Sequence, residues 1–385
     1  MSGRGSTDRV SAFVVCTPGL EPLTLAEVAR LGVANPKAVP GGVACTATWP
    51  QVWALNLHLR TATRVLVRVA RFDADGFDSL IRGLRRVDWS VWFPADTALS
   101  VSASSSGSKL FHTDAVIERV MAVVPHGEMD GGGPPVDLLV RIVGNAVTLS
   151  LNSSGDALHR RGWRVEVGKA PMRETLAAAL IMASGWDGKA PLVDPFCGSG
   201  TIPIEAMMMA RRMPPGRHRS FGFTHWPSFD EARWKRLLDG ADADVLARVG
   251  ILIGSDRDEG VINAARGNAQ RAGVAEAVSF EHRPVSSMTA PSGRPGWVVT
   301  NPPYGHRVGD DDLRNLYDRF SSVLTARFAG WRLGVVIGES SPRLRVGLDD
   351  QVEVRTSNGG LPIAFRSGRI SSAAPARPAG ATSVT

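Results

Sequence analysis

The tetrapeptide Asn301-Pro302-Pro303-Tyr304 directly follows a short apolar run, Trp297-Val298-Val299-Thr300, and its residue types suit one chemistry. Paired prolines cannot continue a strand or donate backbone hydrogen bonds, and they bias Asn301 towards extended backbone. The loop is therefore stiff, and its carbonyls have few local donors. An exocyclic base amine is a weak nucleophile because its lone pair is delocalised into the ring. If the Asn301 side-chain oxygen and the Pro302 carbonyl each accept one amine hydrogen, the lone pair is aimed at an electrophile. Tyr304 can then stack on the base, for about 1–3 kcal/mol. In-line attack on a sulfonium methyl needs this positioning and no covalent nucleophile. In isolation, the same four residues are equally an ordinary polyproline-like loop.

Upstream, Asp194-Pro195-Phe196-Cys197-Gly198-Ser199-Gly200-Thr201 stands where a buried strand meets a helix. Gly198 and Gly200 permit a sharp turn and close approach of a ligand, and Thr201 can begin the helix. The run has neither the third glycine of the dinucleotide fingerprint nor the Lys-Ser/Thr of a phosphate loop. A bare structural turn competes with a nucleoside-binding one. Gly254-Ser255-Asp256-Arg257 closes the next strand with a carboxylate placed to accept a ribose diol, although Asp256 could also cap the helix that follows. Glycine turn, strand-end acid and tetrapeptide occur in the order expected of a nucleoside-cofactor enzyme acting on an amine.

The elements that must hold these residues alternate from Pro171 onward. Helices are predicted at 172–184, 201–212, 259–272 and 313–328, with strands at 191–194, 250–255, 278–281, 297–300 and 333–338. This order predicts a Rossmann-like α/β domain, mainly parallel, with an antiparallel edge hairpin from 351–356 and 362–366. The first part of the chain reads differently, as α+β. Strands are predicted at 10–16 and 64–70 with helices at 20–31 and 52–62. A second group follows, with helices at 77–86 and 113–124, a strand at 98–103, and a hairpin at 137–151 turning on Gly144-Asn145. The expected division is 1–70, 71–165, 166–371, and a disordered tail at 372–385; the glycine- and proline-rich 125–135 is an expected surface loop.

Bulk properties exclude several classes. No run of about 18 apolar residues is present, so no membrane-spanning helix is expected, and the polar amino terminus lacks a signal peptide's apolar segment. Cys16, Cys45 and Cys197 have no paired spacing, so neither disulfides nor a metal site is expected and a cytoplasmic location fits best. The net charge is +7, which permits a polyanionic partner, and only five of the 44 basic residues are lysine. Arginine suits bidentate phosphate contacts, but a high-GC genome also favours arginine throughout. Oligomeric state is not legible.

Longer matches carry a resemblance. Thr17-Pro18-Gly19-Leu20-Glu21, Gly41-Gly42-Val43, Asn56 to Arg64, the His112-Thr113 helix start, Leu158 to Arg164, and Glu174 to Leu180 together resemble the THUMP-domain class I RNA methyltransferases that modify guanine N2. Within that group the chain is most similar to the bacterial family acting on 23S ribosomal RNA, whose relatives include tRNA enzymes. The resemblance implies a ferredoxin-like part over 1–70, a THUMP RNA-binding domain over 71–165 and a methyltransferase domain over 166–371. It implies S-adenosylmethionine bound by Asp194, Phe196, Cys197, Gly198, Gly200, Thr201, Asp256 and Arg257, and a target base held by Asn301, Pro302, Pro303 and Tyr304. It implies RNA contacts from the amino-terminal half, for which Lys109, Arg160, Arg161 and Arg164 are the first candidates, with Arg82, Arg85 and Arg86 beside them. A solvated loop is the competing reading of each basic residue. Two further clusters lie after 210: Arg211, Arg212, Arg217, His218 and Arg219 are placed at the border of the cleft, and Phe221, Phe223, Trp226 and Phe229 are expected to pack an inserted lobe. Many methyltransferases offer the adenine a carboxylate or amide just after the third strand, and the run Phe280-Glu281-His282-Arg283-Pro284 leaves that partner open. Alternatives to guanine-N2 transfer in rRNA are a tRNA guanine-N2 enzyme, a DNA adenine-N6 methyltransferase and a non-catalytic RNA-binding factor.

Overall fold

The computed structural model describes residues 9–128, 134–165, 172–247, 250–304 and 310–372. Part of the loop expected at 125–135 and nearly all of the tail expected at 372–385 lie outside the described residues. In chain order the elements are β1 (Arg9–Cys16), α1 (Glu21–Arg30), β2 (Ala34–Val39), β3 (Gly42–Thr48), α2 (Trp49–His58), β4 (Ala62–Asp73), α3 (Phe77–Arg85), β5 (Leu99–Ser106), α4 (Thr113–Val123), β6 (Val136–Val143) and β7 (Ala146–Asn152). They continue with α5 (Glu174–Ala183), β8 (Leu192–Asp194), α6 (Thr201–Ala210), α7 (Glu231–Ala243), β9 (Leu252–Asp256), α8 (Glu259–Arg271), β10 (Val278–His282), β11 (Trp297–Thr300), α9 (Asp310–Arg327), β12 (Arg332–Gly338), β13 (Leu348–Asn358) and β14 (Leu361–Ile370). Two compact units result, Met1–Arg161 with Pro214–Ala243, and Gly162–Met213 with Asp244–Thr385.

The first unit is built on one seven-stranded sheet ordered β2-β3-β1-β4-β7-β6-β5. β4 pairs with β1 along one edge and with β7 along the other, so a single sheet runs through position 70, where the sequence texture changes. β6 shows why the sheet has one dry face. Val136, Leu138, Val140 and Ile142 are buried while Asp137, Leu139, Arg141 and Val143 alternate outward. The inward residues share a core with Val28 of α1, Trp53 of α2, Leu80 and Leu84 of α3, and Val116 and Val120 of α4. Each such buried side chain stabilises by about 1.5–3 kcal/mol. β2 has no periodic signal because Pro36 interrupts it. The register slips between Ala34 and Lys37, which an edge strand tolerates.

The aromatic excursion after α6 packs rather than presenting its rings, as its composition suggests, but it joins the first unit's core instead of forming a lobe of its own. Phe221, Phe223 and Trp226 are buried there. Trp53 lies against Phe223 with ring centroids 6.1 Å apart. A Cβ on Gly222 would stand 2.9 Å from the Asn152 carbonyl oxygen, so only glycine allows the chain to cross here.

The second unit has the order β10-β9-β8-β11-β12-β14-β13. The first five are parallel, and β14 and β13 close the edge antiparallel. Strands β8, β11 and β12 are short, apolar and buried, as parallel strands covered on both faces must be. The chain leaves β8 towards β9 on one side, while β11 lies on the other. Their carboxyl ends therefore form the topological switch point where ligands bind in such sheets.

Candidate active site

Asp194 ends β8 and Thr300 ends β11, and the two side chains meet. The Thr300 hydroxyl donates to Asp194 Oδ1 at 2.6 Å, and the Phe196 amide donates to the same oxygen at 3.1 Å. The glycine turn is thereby tied to the residue immediately before Asn301. Asp194 is buried, and its pKa is raised to about 7, chiefly by burial and further by the charge of Asp256, with the two hydrogen bonds opposing. Among the described residues, no cation acts on it. The same burial and the same two carboxylates push the Cys197 thiol well above the usual range, so it stays protonated.

Asp256 and the turn hold each other. Asp256 Oδ2 accepts from the Gly198 amide at 3.1 Å, and Oδ1 accepts from the Asp258 amide at 3.1 Å. The helix cap for which Asp256 competed falls to Asp258, whose carboxylate accepts from the Gly260 and Val261 amides. Thr201 begins α6 as expected, with Gly200 at the cap position at φ +87°, where a Cβ would press on Phe280 and Ala265 at 3.1 Å. Gly198, at φ +51°, faces open space where a Cβ would be. Asn268, buried on α8, donates to the Ser199 carbonyl at 3.0 Å and fixes the turn from behind. The Arg257 side chain is exposed, while its carbonyl lies 3.0 Å from His282 Nε2.

The tetrapeptide is braced from three elements. The Tyr317 hydroxyl of α9 donates to the Pro303 carbonyl at 3.2 Å. The Tyr304 ring packs against Gly338 at the end of β12, where a Cβ would come within 2.8 Å of it. Asn358 Nδ2, at the tip of the β13–β14 hairpin, donates to the Tyr304 hydroxyl at 3.0 Å. Asn301 Oδ1 differs from all of these, being buried without a hydrogen-bond partner among the described residues. A buried unpaired acceptor costs about 1–3 kcal/mol, which a donor delivered by a ligand would offset. Gly305, which follows the motif, lies outside the described residues.

Buried Asp194 beside half-buried Asp256, the open glycine turn and the orphaned Asn301 oxygen together fit a nucleoside that carries positive charge. The turn can approach a ribose, and the missing charge beside Asp194 and Asp256 is positive. Residues over 161–362 match the family model described as "RMKL-like, methyltransferase domain", residues 11–66 match "RlmL ferredoxin-like domain", and residues 74–152 match "THUMP domain". The chain belongs to the RMKL-like methyltransferase family. A relative from Synechocystis sp., provisionally named an RNA methyltransferase, is 33% identical over 91% of this chain and 94% of its own length. The ribosomal RNA large subunit methyltransferase K/L of Methylococcus capsulatus is 34% identical over 87% of this chain, which spans about half (48%) of that longer protein. Among solved structures of the same architecture, SMU.472, a provisional methyltransferase complexed with SAH, superimposes with a TM-score of 0.85 at 26% identity, covering 94% of this chain and 98% of that one.

The basic residues expected to contact RNA depart from the sequence reading. Arg161 and Arg164, expected on an RNA-facing surface, are inside. Arg161 is 1% exposed and donates to the Leu158 and Arg60 carbonyls at 2.8 and 2.6 Å. Arg164 pairs with Glu174 at 3.1 Å and donates to the Met172 carbonyl and the Thr201 hydroxyl, while Trp163 beside it is also buried. A charge in such a place saturates the backbone and has no surface for a phosphate. In the cluster placed at the cleft border, three arginines are held by the protein itself, while Arg212 and His218 are exposed. Arg217 forms a bidentate pair with Asp242, Arg219 donates to the Ser154, Asp156 and Ala157 carbonyls, and Arg211 donates to the Leu246 and Gly273 carbonyls. Lys109 and Arg160 are exposed, Arg160 facing Asp156 at 3.3 Å.

A basic surface that the sequence did not suggest lies on the first unit's open sheet face. The register sets Arg71 and Arg141 on either side of Thr148, and Arg68 beside Ser150. Burial lowers the Arg68 pKa, and the positive charges of Arg71 and Arg141 lower it further, with no carboxylate acting on it. Exposed Ser100, Ser102, Ser104 and Ser106 of β5 extend the same face, because Ser104 pairs with Arg141. Only knowledge of which strands neighbour β7 could reveal it.

Proposed function

We propose that the chain is an S-adenosylmethionine-dependent RNA methyltransferase that methylates the exocyclic N2 of a guanine, in 23S ribosomal RNA ahead of tRNA. The observation carrying this reading is the buried, unpartnered Asn301 oxygen, joined through Thr300 to the acid of the cofactor turn. S-adenosylmethionine supplies the methyl group when bound. Asp194, Phe196, Cys197, Gly198, Gly200 and Thr201 form its cradle, with Asp256 and Arg257 at the ribose side. Asn301 and Pro302 accept the two amine hydrogens, Pro303 keeps the loop rigid, and Tyr304 stacks on the base. The nitrogen lone pair forms the new bond to carbon while the sulfur keeps the electron pair of the bond that breaks, and the nitrogen then sheds one proton. No general base is needed at the start, because the acceptors orient the lone pair.

RNA as the substrate class is supported by the THUMP match over 74–152 and by the name of the Methylococcus relative. Phosphates would be taken by the face of Arg68, Arg71 and Arg141 and by Lys109 and Arg160. Phosphate contacts position the substrate, and the base site selects. A base inside a folded RNA must be unstacked to reach Asn301, at a cost of a few kcal/mol that recruitment offsets. The buried free cysteines fit a reducing, cytoplasmic setting.

The test offers ribosomal RNA, tRNA and duplex DNA side by side with methyl-labelled donor and identifies the product nucleoside by mass spectrometry. N2-methylguanosine in ribosomal RNA is expected. Label appearing only as N6-methyladenine in DNA would overturn the reading, because an amide and a carbonyl can hold either amine.

A further inference from the structure

The geometry points to Asn358 as a positioning residue for the transfer, holding Tyr304 in place from the edge hairpin; this rests on the reading of Tyr304 as the base-stacking ring. The last pair between β12 and β14 is Gly338 with Ile363, yet β13 and β14 continue pairing beyond it to Asn358 with Leu361. The hairpin therefore overhangs the carboxyl end of the sheet, where the tetrapeptide lies. Gly359 and Gly360, at φ +59° and +87°, make its tight turn. That turn places the Asn358 amide 3.0 Å from the Tyr304 hydroxyl.

Tyr304 is thus held at both ends. Its ring packs against Gly338, where any larger residue would displace it, and its hydroxyl is held by Asn358. The ring is half-buried, so part of it remains open to a base. Without the amide, the ring can turn about its Cα–Cβ bond, and stacking no longer fixes the angle at which the amine approaches. Misplacement at this scale lowers the rate of transfer more than the binding of either substrate.

The chain has only two tyrosines, and Tyr317 braces the same tetrapeptide through Pro303. Fluorotyrosine-labelled full-length protein thus gives two fluorine resonances, assigned with Tyr304→Phe. With Asn358→Ala, the Tyr304 resonance is expected to shift or broaden while that of Tyr317 stays, kcat to fall about 10-fold, and the KM for RNA and the donor Kd to stay within about 2-fold. Tyr304→Phe removes the hydroxyl without touching the hairpin, and Asn358→Ala placed on top of it should lower kcat no further. An unmoved Tyr304 resonance, an unchanged kcat, or an equal loss in the Tyr304→Phe background would overturn the proposal, the last also covering a hairpin that merely unfolds. Asn301→Ala run in parallel separates the two readings. If it retains full turnover, the role of the tetrapeptide fails; if it is inactive while Asn358→Ala matches wild type, only the positioning role fails.

Discussion

Among the described residues, the two units hold clusters of opposite charge without a partner. On the first, Arg68, Arg71 and Arg141 face one another across β7 with no carboxylate acting on Arg68. In the second, Asp194 and Asp256 stand together with no cation acting on Asp194. Other charges are matched internally, among them Arg164 with Glu174 and Arg217 with Asp242. The difference teaches that number of charges says little about ligands. Charges satisfied by the protein's own carbonyls and carboxylates build structure. Like charges held together without a partner cost folding energy, which a ligand of opposite sign recovers.

The comparison breaks first at Asn301 and the acid pair. Asn301→Ala should lower kcat by at least about 100-fold while donor affinity, read by calorimetry, stays within a few-fold. Replacing the matched charge of Arg164 with alanine should unfold rather than unbind: losing one partner of a buried pair costs about 3–5 kcal/mol, visible as a lower midpoint in urea. Full stability in that variant would mean the distinction between matched and unmatched charge is wrong.

Asp194 has a pH signature. In the unfolded chain Asp194 titrates near its ordinary value of 3.8, and in the folded protein near 7. Between those values the unfolded chain sheds its proton first, so folding stability falls as pH rises, by about 1.4 kcal/mol per unit at most, and flattens above 7. Asp194→Asn should remove that slope in denaturant titrations from pH 4 to 8. A cationic donor favours the ionised pair, so its affinity should improve as pH rises towards 7, and a flat profile would show that the charge is not used. The smallest effect is expected on the open face. Arg71→Ala with Arg141→Ala should leave stability within about 0.5 kcal/mol, weaken RNA binding, and reduce the slope of log affinity against log salt by roughly 0.7–0.9 per lost contact.

Much of the second unit was legible in the chain, since local rules place its parts. Apolar runs bounded by Gly198, Gly200 and Pro302-Pro303 mark where strands end, and β9, α8 and β11 fall within a residue or two of their expected limits. The hairpin at 144–145 was equally local. Arginine placement was not. Arg160, Arg161 and Arg164 look alike in sequence, yet one is exposed and two are buried against carbonyls at 59–60 and 172. No local signal tells an arginine which backbone oxygens the fold will leave unpaired beside it.

What the sequence determined by itself was the chemistry of the loops: two prolines stiffen 301–304 wherever they stand, and two glycines permit the turn at 198–200 whatever ligand meets it. Only the tertiary structure decided which partners those loops find. Thr300 reaches Asp194 because β8 and β11 are neighbours, Asn358 reaches Tyr304 because the edge hairpin overhangs the sheet, and Phe221 and Phe223 join a core begun two hundred residues earlier. Side-chain type is a property of one residue, whereas a hydrogen bond or a shared charge is a property of two, and strand order alone brings the second within reach.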